Sequence, residues 1–279
     1  MAGPVQYEVR NKVAVITLDS PPVNSLSAAV RQGIADNLQR ARDAGCSGIV
    51  LTGANGAFCA GAEIKEFSAP MKKAASLLDV LDLLDSSHVP VVAAIPGVAL
   101  GGGLEVVLAC HFRVATPNAR AGLPEIDLGL LPGAGGTQRL PRLIGGAAAL
   151  QLMLTGGMLS AQDCIKSGIF DAIENDVVGA AIALALRQTG QDLSKRRVSG
   201  MTAKMDPAAI DQVITSSKKL RRGQNAAECI ITCVHAACTM SFEAGMQIEQ
   251  REFRALMGTP QANAMQHMFF ADRQCAKVP

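Results

Sequence analysis

The run Val91-Val-Ala-Ala-Ile-Pro-Gly-Val-Ala-Leu-Gly-Gly-Gly-Leu-Glu105 passes from an apolar strand, through a turn, into a helix opened by three glycines. Pro90 introduces the strand over Val91 to Ile95, Pro96-Gly97 ends it, and the glycine-run helix is expected to continue through Cys110. Glycines at a helix start leave bare backbone N–H groups that a ligand oxygen can approach closely. Glu105 falls in the first turn of that helix, and Pro124-Glu125 follows downstream. Two carboxylates can supply the acid and the base of a proton transfer, so the combination points to an enzyme.

The same alternation extends outward. Val13 to Leu18 is β-rich and ends in Asp19-Ser20-Pro21-Pro22, a turn composition. From Ser27, the spacing of Val30, Ile34, Leu38 and Ala41 predicts an amphipathic helix stopped by Gly45. Gly48 to Thr52 reads as a short buried strand leading into a loop over Gly53 to Gly61, and Leu77, Leu81 and Leu84 mark a further helix. Strands alternating with helices imply an α/β fold of parallel units, with ligands expected beyond the carboxyl ends of the strands. The loop from Phe58 to Glu63 and the glycine run both occupy such ends. Beyond about residue 175 the pattern turns helical, over 177–187, 207–217, 225–238, 241–256 and 260–276, after a polar stretch near 190–200. The expected division is an α/β core over 1–195 and a helical extension over 196–279.

At 279 residues and 49% hydrophobic composition, the chain is expected to fold around a substantial core. Its 26 basic and 24 acidic residues leave a net charge of +2 with no long single-sign run, so no dedicated nucleic-acid surface is expected. The group Lys218-Lys219-Leu220-Arg221-Arg222 reads as a solvated helix end. No signal pattern opens the chain and no apolar run approaches the roughly 20 residues of a membrane span, so a soluble intracellular protein is expected. Eight scattered cysteines fit reduced thiols. Ala276-Lys277-Val278-Pro279 is not a peroxisomal address of the Ser-Lys-Leu type. Cys229, Cys233, His235 and Cys238 match no common zinc spacing and are separated by apolar residues, so no metal is expected. Gly133-Ala-Gly-Gly136 keeps a phosphate contact open, and no G-x-S-x-G elbow is present.

Each chemical feature has an ordinary structural explanation when taken alone. The glycines permit tight helix packing, Glu105 complements the helix dipole, and Glu125 is an acid in a surface loop. A second small-residue loop, Phe58-Cys59-Ala60-Gly61-Ala62-Glu63, makes a set of two backbone sites and two acids. Three motifs then carry a resemblance: Phe58-Cys-Ala-Gly-Ala-Glu-Ile-Lys65, Pro96-Gly-Val-Ala-Leu-Gly-Gly-Gly-Leu-Glu105, and Gly122-Leu-Pro-Glu-Ile-Asp-Leu-Gly-Leu-Leu-Pro-Gly-Ala-Gly-Gly-Thr-Gln-Arg139. In order and spacing they resemble the enoyl-CoA hydratase/isomerase (crotonase) family over residues 8 to 175. The segment from Gln261 to Lys277 is similar to the one joining hydratase and dehydrogenase parts in peroxisomal-type multifunctional enzymes.

The resemblance implies a core of repeated β-β-α spiral turns with a helical C-terminal region. It implies an oxyanion hole formed by the amides of Ala62 and Gly102, with Glu105 activating water for C3 and Glu125 protonating C2 of a 2-trans-enoyl-CoA. It also implies a joint Δ3,Δ2-enoyl-CoA isomerase activity, which moves a double bond from the 3- to the 2-position. Val23, Ser25, Ala60, Glu63, Ile64, Lys65, Gly101 and Lys277 are the residues implied for coenzyme A. No separate cofactor is implied, since coenzyme A is part of the substrate. A homotrimer and a covalently linked dehydrogenase domain are both compatible with the family, and the compartment is peroxisomal in the second case and otherwise cytoplasmic. A silent acyl-CoA-binding member, or another enolate reaction such as thioester hydrolysis or decarboxylation, remains as an alternative. Glu63 stands where many relatives have aspartate and Leu104 where several have cysteine, changes that bear on pocket shape alone.

Overall fold

The valine- and isoleucine-rich segments pair in a six-stranded sheet of the computed structural model, which describes residues 3–66 and 74–275. Its strands are β1 (Val5–Arg10), β2 (Val13–Leu18), β3 (Gly48–Gly53), β5 (Val91–Ile95), β7 (Phe112–Ala115) and β10 (Ala172–Ile173), in that spatial order. Only β1 runs antiparallel to its neighbour. A second sheet takes β4 (Ala57–Cys59), β6 (Val98–Leu100), β8 (Arg120–Gly122) and β9 (Leu159–Ser160). From β3 to β8 the strands therefore come in pairs, the first member in the large sheet and the second in the small one, and β9 and β10 reverse that order. The expected simple alternation of one strand and one helix becomes the β-β-α repeat that the resemblance implies.

Helices α1 (Ala28–Asp43), α2 (Leu77–Asp85), α3 (Gly102–Ala109), α6 (Ala161–Ser167) and α7 (Val177–Gln188) belong with these sheets. In α1 the buried residues include Val30, Ile34, Leu38 and Ala41, the stripe expected from spacing, and the Ser27 hydroxyl accepts from the Val30 amide. One face of the large sheet is sealed by α7. Val13, Val15, Val50, Val92, Ala94 and Val114 pack there against Val177, Ala181, Ile182 and Ala185.

The remaining helices are α4 (Gly136–Ile144), α5 (Gly146–Thr155), α8 (Pro207–Ser217), α9 (Asn225–Thr239), α10 (Phe242–Leu256) and α11 (Pro260–Cys275). Two compact units result, one of residues 1–121 and 159–201, the other of 122–158 and 202–279. This grouping differs from a single boundary at 195/196, because α4 and α5 cover their apolar faces with α9. Cys233 of α9 is buried there, its thiol pushed up to about 12 by that burial, and its carbonyl accepts from Gln138 Nε2 at 3.0 Å. Among the described residues no group of three His, Cys, Asp or Glu side chains is placed to hold a metal, and no helix is long and apolar enough to cross a membrane.

Inside the helical unit, Glu249 is fully buried and accepts from the amides of Gly135 at 2.7 Å and Thr137 at 3.2 Å, and from the Thr137 hydroxyl. It occupies the amino end of α4 from another helix. The phosphate contact left open for Gly133 to Gly136 is thereby excluded at these amides, since a carboxylate already fills the place an anion would take. Glu249→Ala strands these buried donors and is expected to cost about 3–5 kcal/mol, read as a lowered urea midpoint.

In the sheet unit His111 is 1% exposed and its Nδ1 accepts from the Val91 amide at 3.1 Å, which fixes a neutral ring with the proton on Nε2. Burial holds its pKa down to about 4, assisted by the cationic Arg197, Arg113 and Arg196 and opposed by Asp85. Unfolded histidine takes up a proton near 6.5, so between pH 6.5 and about 4 the unfolded chain binds a proton that the folded one excludes. This contribution to stability is complete above pH 6.5 and falls by about 3 kcal/mol as pH drops toward 4. Unfolding midpoints of wild type and His111→Gln compared at pH 7 and 4.5 check it: the variant is expected to lose less stability, and an unchanged difference rules His111 out as the source.

Candidate active site

Strands β4 and β6 are parallel neighbours, with Ala57 opposite Val98 and Cys59 opposite Ala99. Their carboxyl ends release the two small-residue loops side by side. Gly101 leaves β6 with φ 52° and ψ −129°, a conformation suited to glycine, and α3 starts at the next residue. A Cβ built at Gly103 would lie 2.4 Å from the Cys59 carbonyl oxygen, so α3 sits directly on the end of β4. A Cβ at Gly102 would lie 3.4 Å from the Ala62 nitrogen and 3.2 Å from Leu26 and from Leu77. The two expected amides thus belong to adjoining pieces of backbone. The first intrahelical bond of α3 runs from the Glu105 amide to the Gly101 carbonyl at 3.0 Å, so the Gly102 amide precedes the helical ladder and lacks an intrahelical acceptor.

The segment from Val23 to Leu26 lies alongside the first loop. Ala60 donates its amide to the Val23 carbonyl at 3.0 Å, Leu26 donates to the Gly61 carbonyl at 2.9 Å, and Leu26 forms an isolated parallel bridge with Ala62. Ser25 Oγ donates to Glu63 Oε2 at 3.0 Å. Val23, Ser25, Ala60, Ala62, Glu63, Gly101 and Gly102 are therefore gathered at one end of the small sheet. Ile64 opens the short 3-10 turn that follows, Ile64–Glu66. The Lys65 side chain and Lys277 lie outside the described residues.

Asn24, Arg31 and Glu66 complete this arrangement without having been expected from sequence. Asn24, 1% exposed with φ 55°, donates Nδ2 to the carbonyls of Ala54 and Ala57 and so fixes the approach to β4. Its signal was available, since asparagine tolerates this left-handed backbone and follows a Pro-Pro turn. Glu66 receives the Ala28 amide at the start of α1 and pairs with Arg31 at 3.2 Å. Nothing local in the sequence announces that contact.

Glu105 is 3% exposed, within a helix whose eight residues are all buried. A carboxylate near a helix amino end is favoured by the dipole. Cys59, beside the same loops, is no competing nucleophile, because burial pushes its thiol up to about 12. Glu125 belongs to the other unit, half-buried at the head of the 3-10 turn Glu125–Leu128. Pro124 precedes that turn, and Gly129, with φ 69°, closes it. Met153 is core, Met265 approaches Gly129, and Met268 is exposed.

The family model for enoyl-CoA hydratase/isomerase matches residues 8–225. The peroxisomal bifunctional enzyme of Danio rerio is 43% identical over 277 residues, an alignment that covers 98% of this chain and 38% of that protein. The corresponding Homo sapiens enzyme is 40% identical, with 96% of this chain and 38% of the relative covered. The chain thus spans about two fifths of the length of these curated relatives. Among solved structures, carnitinyl-CoA hydratase from Mycobacterium avium superposes with a TM-score of 0.71 at 29% identity, covering 98% of this chain and 97% of that one. With the family model matched over most of its length, the chain belongs to the enoyl-CoA hydratase/isomerase family.

Proposed function

We propose that the chain hydrates 2-trans-enoyl-CoA to 3-hydroxyacyl-CoA in fatty-acid β-oxidation. The observation that carries the proposal is the meeting of Ala62 and Gly102 at the carboxyl ends of β4 and β6, with Glu105 buried one turn into α3. The two amides hold the thioester carbonyl oxygen, where negative charge grows as the substrate becomes enolate-like. Each such donor contributes on the order of 3 kcal/mol to the transition state. Glu105 takes a proton from water as its oxygen bonds to C3, the C2–C3 double bond shifts its electrons toward the carbonyl, and Glu125 gives a proton to C2. The elements of water are added in full and both carboxyl groups exchange protons with solvent before the next turnover. With a 3-enoyl substrate the C2 transfer runs in reverse: Glu125 as carboxylate takes a proton from C2, the double bond shifts from C3–C4 to C2–C3, and C4 receives a proton, which gives a joint isomerase activity.

Coenzyme A is assigned to the Val23–Ser25 and Ala60–Ile64 backbone, together with Lys65 and Lys277. Because the Ala60 amide is already donated to Val23, its carbonyl is the group offered to the adenine end. No separate cofactor enters the reaction. The peroxisomal bifunctional relatives support a peroxisomal setting, and a linked dehydrogenase, which the resemblance alone implies, would oxidise the hydroxyl product.

Loss of the 2-enoyl absorbance tests the assignment across acyl chain lengths. Glu105→Gln and Glu125→Gln are each expected to lower kcat by about 100-fold or more, the scale of a lost general acid or base. Full activity in either variant removes that residue from the mechanism, and wild type inert toward every enoyl-CoA removes the hydratase proposal.

A further inference from the structure

Arg221 breaks with the rest of its basic run. Lys218, Lys219, Leu220 and Arg222 are exposed, as a solvated helix end would be, whereas the Arg221 side chain is only 10% exposed. It donates Nε to the Leu154 carbonyl at 2.6 Å and Nη2 to the Thr155 carbonyl at 2.9 Å, both at the carboxyl end of α5. Helix carboxyl ends leave carbonyls without intrahelical donors and carry partial negative charge, which a guanidinium answers twice over. Its third direction, through Nη1, pairs with Asp127 Oδ1 at 3.1 Å. Asp127 belongs to the turn Glu125–Leu128, two residues beyond Glu125.

The surrounding backbone is shaped for that pairing. Gly156 follows α5 with φ 67°, and a Cβ there would fall 2.6 Å from Asp127 Oδ2. Only a residue without a side chain lets the carboxylate reach this position. At the far end of the turn, a Cβ at Gly129 would fall 2.8 Å from the Ala262 Cα of α11. A four-residue 3-10 turn has few bonds of its own, so these outside contacts set where its first residue stands.

We propose that Arg221, acting through Asp127, is a positioning residue that fixes the Glu125 turn against α5. The inference rests on the hydratase reading, in which Glu125 supplies the C2 proton. Lysine cannot substitute, because one ammonium on a flexible stem does not span three acceptors in a fixed fork.

Arg221→Met and Asp127→Asn separate this role from general stability. Asp127 has a half-exposed side chain, so its asparagine variant is expected to fold as wild type. Both variants should lower kcat for enoyl-CoA hydration by about 10- to 100-fold, the scale of a misplaced catalytic group, with KM within about twofold. Arg221→Lys should recover little of the loss. In a Glu125→Gln background the same changes should produce no further fall, because the positioned group is already gone. Hydrogen exchange read by mass spectrometry should quicken across residues 123–130 in both variants and stay unchanged in β3 and β5. Wild-type kcat in Arg221→Met and Asp127→Asn overturns the proposal, as does an additional loss in the Glu125→Gln background. If wild type turns over no enoyl-CoA, the hydratase reading falls, and unaltered exchange across 123–130 would overturn the clamp independently.

Discussion

A direct approach of backbone to backbone at the ends of β4 and β6 governs the chemistry assigned to this chain. The gap between Gly103 and the Cys59 carbonyl leaves no room for a methyl group, and Gly102 adjoins the Ala62 nitrogen, from which a Cβ would stand 3.4 Å. Glycine is required at position 103 by sterics, since a side chain there would lift α3 from the end of β4 and part the two loops. Because α3 can sit so low, its opening amides adjoin those of the neighbouring loop. Glu105 is carried on the same short helix, and its depth follows from the contact that places the amides. One steric condition therefore serves both the proposed oxyanion hole and the proposed base.

Much of this was legible because the chemistry asks for backbone, and backbone sites demand small residues in local clusters. Ala60-Gly61-Ala62 and Gly101-Gly102-Gly103 show in the sequence without knowledge of the fold. The long helices were legible too, as the buried stripe of α1 illustrates. The strands β4, β6 and β8 were not, since three residues are too few to display a period of two. Their omission hid the second sheet, although both candidate loops leave from it. Contacts between residues distant in sequence were equally invisible: Ser25 with Glu63, Glu249 with α4, Arg221 with Asp127. Composition ranked Arg221 with its exposed neighbours because a buried guanidinium and a solvated one have the same letter.

The helix ends separate α3 from most of its companions; α5 also follows a glycine, Gly145, but its first amide donates to the Lys204 carbonyl. Serine side chains cap α1, α2, α6 and α10, and aspartates cap α7 and α8. The amino end of α4 is filled by Glu249, and α9 receives Gln261 at its first amide. At α3 the cap position is Gly101, which has no side chain to offer. Capping by serine or aspartate stabilises a helix by about 1 kcal/mol, and α3 forgoes it. Its stability comes instead from burial on every side, with all eight residues out of solvent. Freed from the need for a cap, the first turn can present its amides to a substrate oxygen, so that burial of the helix body underwrites the open chemistry at its end.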